Sequence, residues 1–300
     1  MRTRFAVATA AYPTNLDFIA QFVQGLEFAA RKHDKVRLVV VSEYGFDAAT
    51  VFDPLPAGLI LDVRAAPGPT SPAGLRRLMI EACRQSDAEN VVFCDFDDWL
   101  LPDALDLHGR ALENADISYG SQVLVNEKGE SLNREFPDCA NLPAEVDGPS
   151  AVRAHNFMGF SNTAVRQDAL AQSSIAIPEH LAAPDWWFYT MLLASGCRAR
   201  RAAAVTSYRV YAQSVLGAKA ATSVAMLHQR AKIAGRHYAA IGGVVDVTPE
   251  QEMVSRLLAL IENDPEAADE IVAKLPPNVA WFDDVSTACA MLGAACRPAR

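Results

Sequence analysis

Residues 90–105 read NVVFCDFDDWLLPDAL. The apolar, partly β-branched run at 90–94 predicts a buried strand, and Pro102 opens a helix expected to reach Asn114. The strand delivers Asp95, Asp97 and Asp98 into the turn between them. Ligands of an α/β sheet bind beyond the carboxyl ends of its strands, so these acids fall where chemistry is to be sought. In an extended Asp-x-Asp the side chains two apart share a side, and Asp95 and Asp97 are expected to converge. Their mutual repulsion then favours a cation. A hard divalent ion such as Mg2+ or Mn2+ takes oxygen ligands, commonly one or two carboxylates completed by substrate phosphates and water. The plainer alternative is a solvated acidic loop, with an aspartate favouring the dipole of the helix that follows.

Working outward, strands and helices alternate. Residues 4–10, 37–42 and 59–63 read as short buried strands, and 71–85 as a helix. Residues 15–33 place Leu16, Ile19, Phe22, Val23, Leu26 and Ala30 at helical spacing, with Asn15 as the expected N-cap. Beyond the acids, 117–125 predicts a strand. Residues 126–150 are rich in Pro, Gly, Asn, Asp and Glu and predict a long excursion suited to a lid. A helix over 185–195 ends at Gly196, a strand follows at 198–210, and helical patterns continue from 215, including 250–262 and 265–274. This order predicts an α/β fold with a mostly parallel, Rossmann-like sheet flanked by helices. We read one domain over 1–244, with halves at about 1–125 and 126–215, and an α-helical appendage over 245–300.

The formal net charge of -9 repels phosphate backbones, so nucleic acid is not an expected partner. A small anionic ligand would need a metal or a few placed arginines. The opening MRTRFAVATAAYPTN has early arginines and a short apolar run, but Tyr12 and Pro13 interrupt it too soon for a signal peptide. No stretch of ~18 apolar residues follows, so neither secretion nor a membrane span is expected, and the cytoplasm is the expected location. Cysteines 83, 94, 139, 197, 289 and 296 form no CxxC pair, which speaks against a zinc site and for reduced core thiols.

FCDFDDWLLPDAL at 93–105 resembles the F-L-D-x-D-D-x-x-x-P-D-x-L signature of family 2 glycosyltransferases, which have the GT-A fold. SPAGLRRLMIEA at 71–82 is loosely similar to their G-x-x-x-A-R-N-x-G-x-x-x-A helix, with Arg76 on the arginine, Arg77 in place of the asparagine and Met79 in place of the glycine. PDWWFYTMLLASG at 184–196 resembles E-D-x-x-F-x-x-R-L-x-x-x-G, and Asp185 falls on the family's catalytic base. YRVYAQS at 208–214 resembles Y-R-x-H-x-x-S, with Tyr211 where the histidine often completes the metal shell. TAAYPTN at 9–15 is loosely similar to the donor-binding turn. SEYG at 42–45 stands where D-D-G-S is usual, with Glu43 in position to recognise the base or ribose. The resemblance spans about residues 4–215 and leaves the helical tail unexplained.

The resemblance implies a metal-dependent, inverting transfer of a sugar from a nucleotide diphosphate donor to the hydroxyl of a glycan or other acceptor, in glycan or polysaccharide biosynthesis. The nucleotide-sugar half is 1–125 and the acceptor half 126–215. Asp97 is the first choice as ligand of Mn2+ or Mg2+, and Asp95 serves the metal and the donor. Asp98 orients the sugar or the loop. Tyr12, Glu43, Arg76 and Arg209 contact the donor, the arginines because guanidinium forks suit phosphate, with surface salt bridges as their plainer reading. Asp185 takes the acceptor proton, or else merely caps its helix. Trp99, Trp186 and Trp187 are either sugar platforms or core. His155 and His180 read as structural, and 158–162 as a strand entry near the acceptor. A nucleotidyltransferase and a non-catalytic binding domain of the same fold remain as alternatives, although AAYP at 10–13 is not a glycine-rich triphosphate loop. A phosphatase would carry its Asp-x-Asp after the first strand. The oligomeric state is open, a homo-oligomer included.

Overall fold

The computed structural model describes residues 3–136, 142–210, 221–276 and 283–295. Strand β1 (Phe5–Ala11) is buried along its whole length. Pro13, whose ring fixes φ, opens a 3-10 turn over Pro13–Phe18, and only then does α1 (Ile19–Ala30) begin. Asn15 is therefore not the N-cap of that helix. It lies inside the 3-10 turn at φ -110, and α1 starts from Phe18 with no side-chain cap.

Next come β2 (Val36–Ser42), α2 (Ala48–Val51), β3 (Leu59–Ala65) and α3 (Pro72–Arg84). Helix α3 has a regular start, because the Ser71 hydroxyl accepts from Gly74 N at 3.1 Å and Pro72 occupies the first turn. Then follow β4 (Asn90–Phe93), the short β5 (Trp99–Leu100), α4 (Ala104–Leu112), β6 (Ile117–Val125), β7 (Ser131–Phe136), β8 (Glu145–Val146), β9 (Thr163–Arg166), α5 (Gln167–Gln172), α6 (Pro184–Ala194) and β10 (Ala199–Arg209). Four helices close the described chain: α7 (Val224–Ile241), α8 (Thr248–Asn263), α9 (Pro265–Lys274) and α10 (Asp283–Ala295).

The strand order is β3-β2-β1-β4-β9-β6-β10-β5, with β7 on β6 and β8 on β10. From β3 to β4 every pairing is parallel, and β6 pairs in parallel with β10. Strand β9 runs antiparallel between β4 and β6 and joins the two parallel blocks into one sheet. The expected excursion at 126–150 is only partly a loop. A turn at Asn126, closed through Gly129 at φ 85, folds β7 back on β6, and β8 pairs with β10.

Side chains of β1 alternate between the two faces of the sheet. Ala6, Ala8 and Ala10 pack with α3 and α6, whereas Phe5, Val7 and Ala11 pack with α1 and α4. A separate core gathers α7, α8, α9 and α10 together with Ala183 and Trp186 from the start of α6. Helix α7 shares this core, so a boundary at 245 leaves one of its helices on the other side. Among the described residues no helix is long and apolar enough to cross a membrane.

Gly120 marks a tight junction of the sheet. It lies where the register of β10 shifts between Arg201 and Val205, and a Cβ there would run into the Ala204 carbonyl, 2.9 Å from its carbon. Its carbonyl also accepts from Asn162 Nδ2 at 2.9 Å. We expect Gly120→Ala to destabilise the fold by about 1–3 kcal/mol in a denaturant titration, because backbone cannot yield to the added methyl.

Candidate active site

The parallel strands deliver their ends to one edge. Ala11 is in register with Ser42, and Ala8 with Phe93, so Tyr12, Glu43 and Asp95 emerge together there. Glu43 N donates to Ala11 O at 3.0 Å and Cys94 N to Ala8 O at 3.1 Å, which carries the ladder to the mouth of the site.

Beyond β4 the backbone leaves the extended conformation. It turns, with Asp98 N donating to Asp95 O at 3.0 Å. Phe96 supplies the cause, since its buried ring packs against Phe22 and Phe52 at centroid distances of 5.8 and 5.7 Å. That anchor drives the middle of the turn into the core, and the acids gather beside it. Carboxylate oxygens of Asp95, Asp97 and Asp98 lie within 4.8 Å of one another. The turn thus assembles three acids where an extended strand would have aligned two.

Each acid has a different environment. Asp95 pairs with Arg76, Oδ1 to Nη1 at 2.6 Å, and its N–H donates to Ser161 Oγ at 3.1 Å. Arg76 is largely buried, with its guanidinium 5.4 Å from the Phe160 ring centroid. Burial opposes its charge, but Asp95, Tyr12, Asp97 and Asp185 together hold it above the ordinary arginine range. Asp98 is 1% exposed and accepts from Arg209 N at 2.8 Å on Oδ1. Burial, then the charges of Asp97 and Asp95, push its carboxyl well up, against the hydrogen bonds from Ser161 and the Arg209 N–H, which lower it.

Arg209 does not offer its fork to a ligand. Its guanidinium lies 4.2 Å from the Phe18 ring centroid and 5.1 Å from that of Trp99. It donates to Asp97 O at 2.9 Å, to Asn126 O and Glu127 O, and to the Gln21 side chain. Buried at 1% exposure and spent on carbonyls, it holds the acidic turn from behind. Arg76 is the arginine on the side of the carboxylates.

Tyr12 sits among the same charges. Burial pushes its hydroxyl up, Arg76 pulls it back, and Asp95, Asp97 and Glu43 push it further. Asp185 lies in the first turn of α6 but is not its cap, a position that belongs to Ala183. The carboxyl is 6% exposed and accepts from Asn156 Nδ2 at 3.2 Å. Burial lifts it to about 6, against the Trp186 N–H and Asn156, which lower it. Asp95 raises it and Arg76 lowers it in smaller measure, so the helix acid and the turn acids share one electrostatic site.

Trp186 is fully buried and is core, whereas the half-buried Trp99 packs against Gly25 and Arg209. Trp187 donates to Ala176 O at 3.2 Å. His155 pairs with Asp283 at 2.9 Å, and His180 is exposed. Tyr211 lies outside the described residues. Sequence reasoning missed Asn156 and Gln21, which no local pattern marks. It did single out 158–162, but for the acceptor, whereas Ser161 supports Asp95 and Asn162 ties Gly120 to Phe157.

Known structures share this architecture. The chain superposes on S. aureus TarS 1–349 in complex with UDP-GlcNAc with a TM-score of 0.53 and 16% identity, covering 87% of this chain and 72% of that one. For the complex with UDP the TM-score is 0.54 at 16% identity, covering 91% and 75%. A further structure of TarS 1–349 gives 0.51 at 15% identity. No protein-family model and no curated protein matches the sequence. At such identities the likeness shows the fold, and the fold is the GT-A fold of glycosyltransferases.

Proposed function

We propose that this GT-A chain transfers a sugar from a nucleoside diphosphate donor to an acceptor hydroxyl with inversion, aided by a divalent cation at Asp97 and Asp95. The observation that carries this reading is the convergence of three carboxylates within 4.8 Å, in one electrostatic site with a buried acid lifted to about 6. The donor set fits a hard cation, because it offers only oxygens and because three carboxylates so close together repel one another unless a positive charge stands among them. Such a cation, when bound, would offset the charge that builds on the departing diphosphate.

The chain's own residues do the rest. Arg76, kept cationic by its neighbours, adds positive potential beside the donor, and Tyr12 and Glu43 line the edge that receives the nucleotide. Asp185 takes the proton of the attacking hydroxyl. One displacement assisted by one base inverts the anomeric centre. Because the TarS structures hold UDP and UDP-GlcNAc, uridine diphosphate sugars are the first donors to test.

Incubation with nucleotide sugars and hydroxyl acceptors, with Mn2+ or with chelator, tests the reading. Metal-dependent release of nucleoside diphosphate, with a product of opposite anomeric configuration by NMR, is the expected result. Nucleotide binding without turnover would mark a binding domain instead.

The pH profile follows from Asp185. Only its ionised form accepts a proton, and burial raises its pKa to about 6. Transfer should therefore rise with pH through about 6 and level off above it, losing roughly tenfold per unit well below. A rate that stays flat from pH 7 to pH 4.5 would exclude this carboxyl as the base.

A further inference from the structure

The residues around Asp185 are tied to the C-terminal helices on both sides. On its C-terminal side, Trp186 turns away from the sheet into the helical core. Its indole stacks on His237 of α7 at 3.8 Å and 18°, meets Tyr238 edge-on at 5.6 Å, and donates to Val152 O at 2.6 Å. On the other side, Val152 begins a short strap that ends at Asn156, the residue that donates to Asp185. The appendage grips the residues between. Arg153 pairs with Glu250 of α8 at 2.8 Å, and His155 with Asp283 of α10 at 2.9 Å. Ala154 O accepts from Ser286 of α10 at 3.5 Å.

We propose that the C-terminal helices position the general base: through the stack of His237 on Trp186 and the ion pairs that hold Arg153 and His155, they set the hydrogen bond from Asn156 to Asp185. This rests on the reading of Asp185 as the base. A carboxyl on the first turn of a helix is aimed by that helix, and its hydrogen-bond donor by the strap. Both are anchored outside the sheet. Displacement of a reacting group by about 1 Å can cost about a hundredfold in rate, so anchoring of this kind bears directly on catalysis. His237 serves as an aromatic face. Neither of its ring nitrogens has a hydrogen-bond partner among the described residues, and burial keeps the ring neutral by lowering its pKa to about 3. Trp186, His237, Arg153 and His155 are thus positioning residues.

The test measures kcat for sugar transfer and the affinity for nucleoside diphosphate in the full chain. The variants are His237→Ala, His237→Phe and the pair Arg153→Ala with His155→Ala, each with and without Asn156→Ala. We expect His237→Ala and the strap pair to lower kcat about tenfold with nucleotide affinity nearly unchanged, and His237→Phe to restore most of the rate by keeping a ring against Trp186. In the Asn156→Ala background the same changes should cost little more, because the bond they protect is already gone. The strap residues are partly exposed, so that pair decides the matter if His237→Ala fails to fold. Full kcat in the strap pair, or losses that multiply in full on top of Asn156→Ala, would overturn the positioning role alone, provided Asp185→Asn is inactive. Transfer that survives Asp185→Asn, or no transfer by the parent chain, would remove the base reading and this role with it.

Discussion

Asp185→Asn should lower kcat by about 10²–10⁴-fold, the range lost with a general base, while nucleoside diphosphate affinity stays close to that of the parent. The substitution keeps the shape of the side chain and an oxygen that accepts from Asn156, at 3.2 Å in the parent. It removes the charge that must receive the proton. It also removes a carboxyl whose burial already resists ionisation, so the variant should fold at least as well as the parent. Steady-state kinetics with saturating donor, together with a melting curve, check both halves. A kcat within about tenfold of the parent would reassign the base.

Asp97→Ala should cost turnover of similar size by a different route. A cation on the leaving diphosphate supplies several kcal/mol of transition-state stabilisation, and each 1.36 kcal/mol is about tenfold, so a loss of about 10³-fold or more is expected. The variant should also lose the stimulation by Mn2+, which Asp185→Asn should retain. Asp98→Ala is not an equivalent experiment. Asp98 is buried and accepts from Arg209 N at 2.8 Å, so its removal would disturb the turn as well as the cation. Activity of Asp97→Ala that still responds fully to Mn2+ would place the cation elsewhere.

What the sequence disclosed, and what it hid, follows from the range of the interactions. The strand at 117–125, the helix capped by Ser71 and the acid cluster at 95–98 were legible because neighbours in sequence determine them. Strand β7 was not, since SLNREF is largely exposed and lacks the apolar alternation that marks a strand. The convergence of the acids was legible, but the anchor that fixes their turn, Phe96 packed on Phe22 and Phe52, was not, because those partners are remote in sequence. Arg209 shows the same limit. Its partners Gln21, Asn126 and Glu127 lie far along the chain, so its motif position suggested a ligand contact while its burial makes it a brace. For Trp186 the sequence left sugar platform and core both open, and the stack on His237 of α7 makes it core. Asn156 had no signal at all, because its meaning depends on a helix that begins much later.

Everything proposed for the mechanism requires the acidic turn to bind a divalent cation and a diphosphate together. The most direct measurement is the melting temperature of the parent chain with UDP, GDP or deoxythymidine diphosphate, each with Mn2+ and with chelator. At about 100 times its dissociation constant the right nucleotide should stabilise by about 2.7 kcal/mol, and only when the metal is present. Equal shifts with metal and with chelator would contradict the shared site. No shift with any of the three would contradict the nucleotide itself.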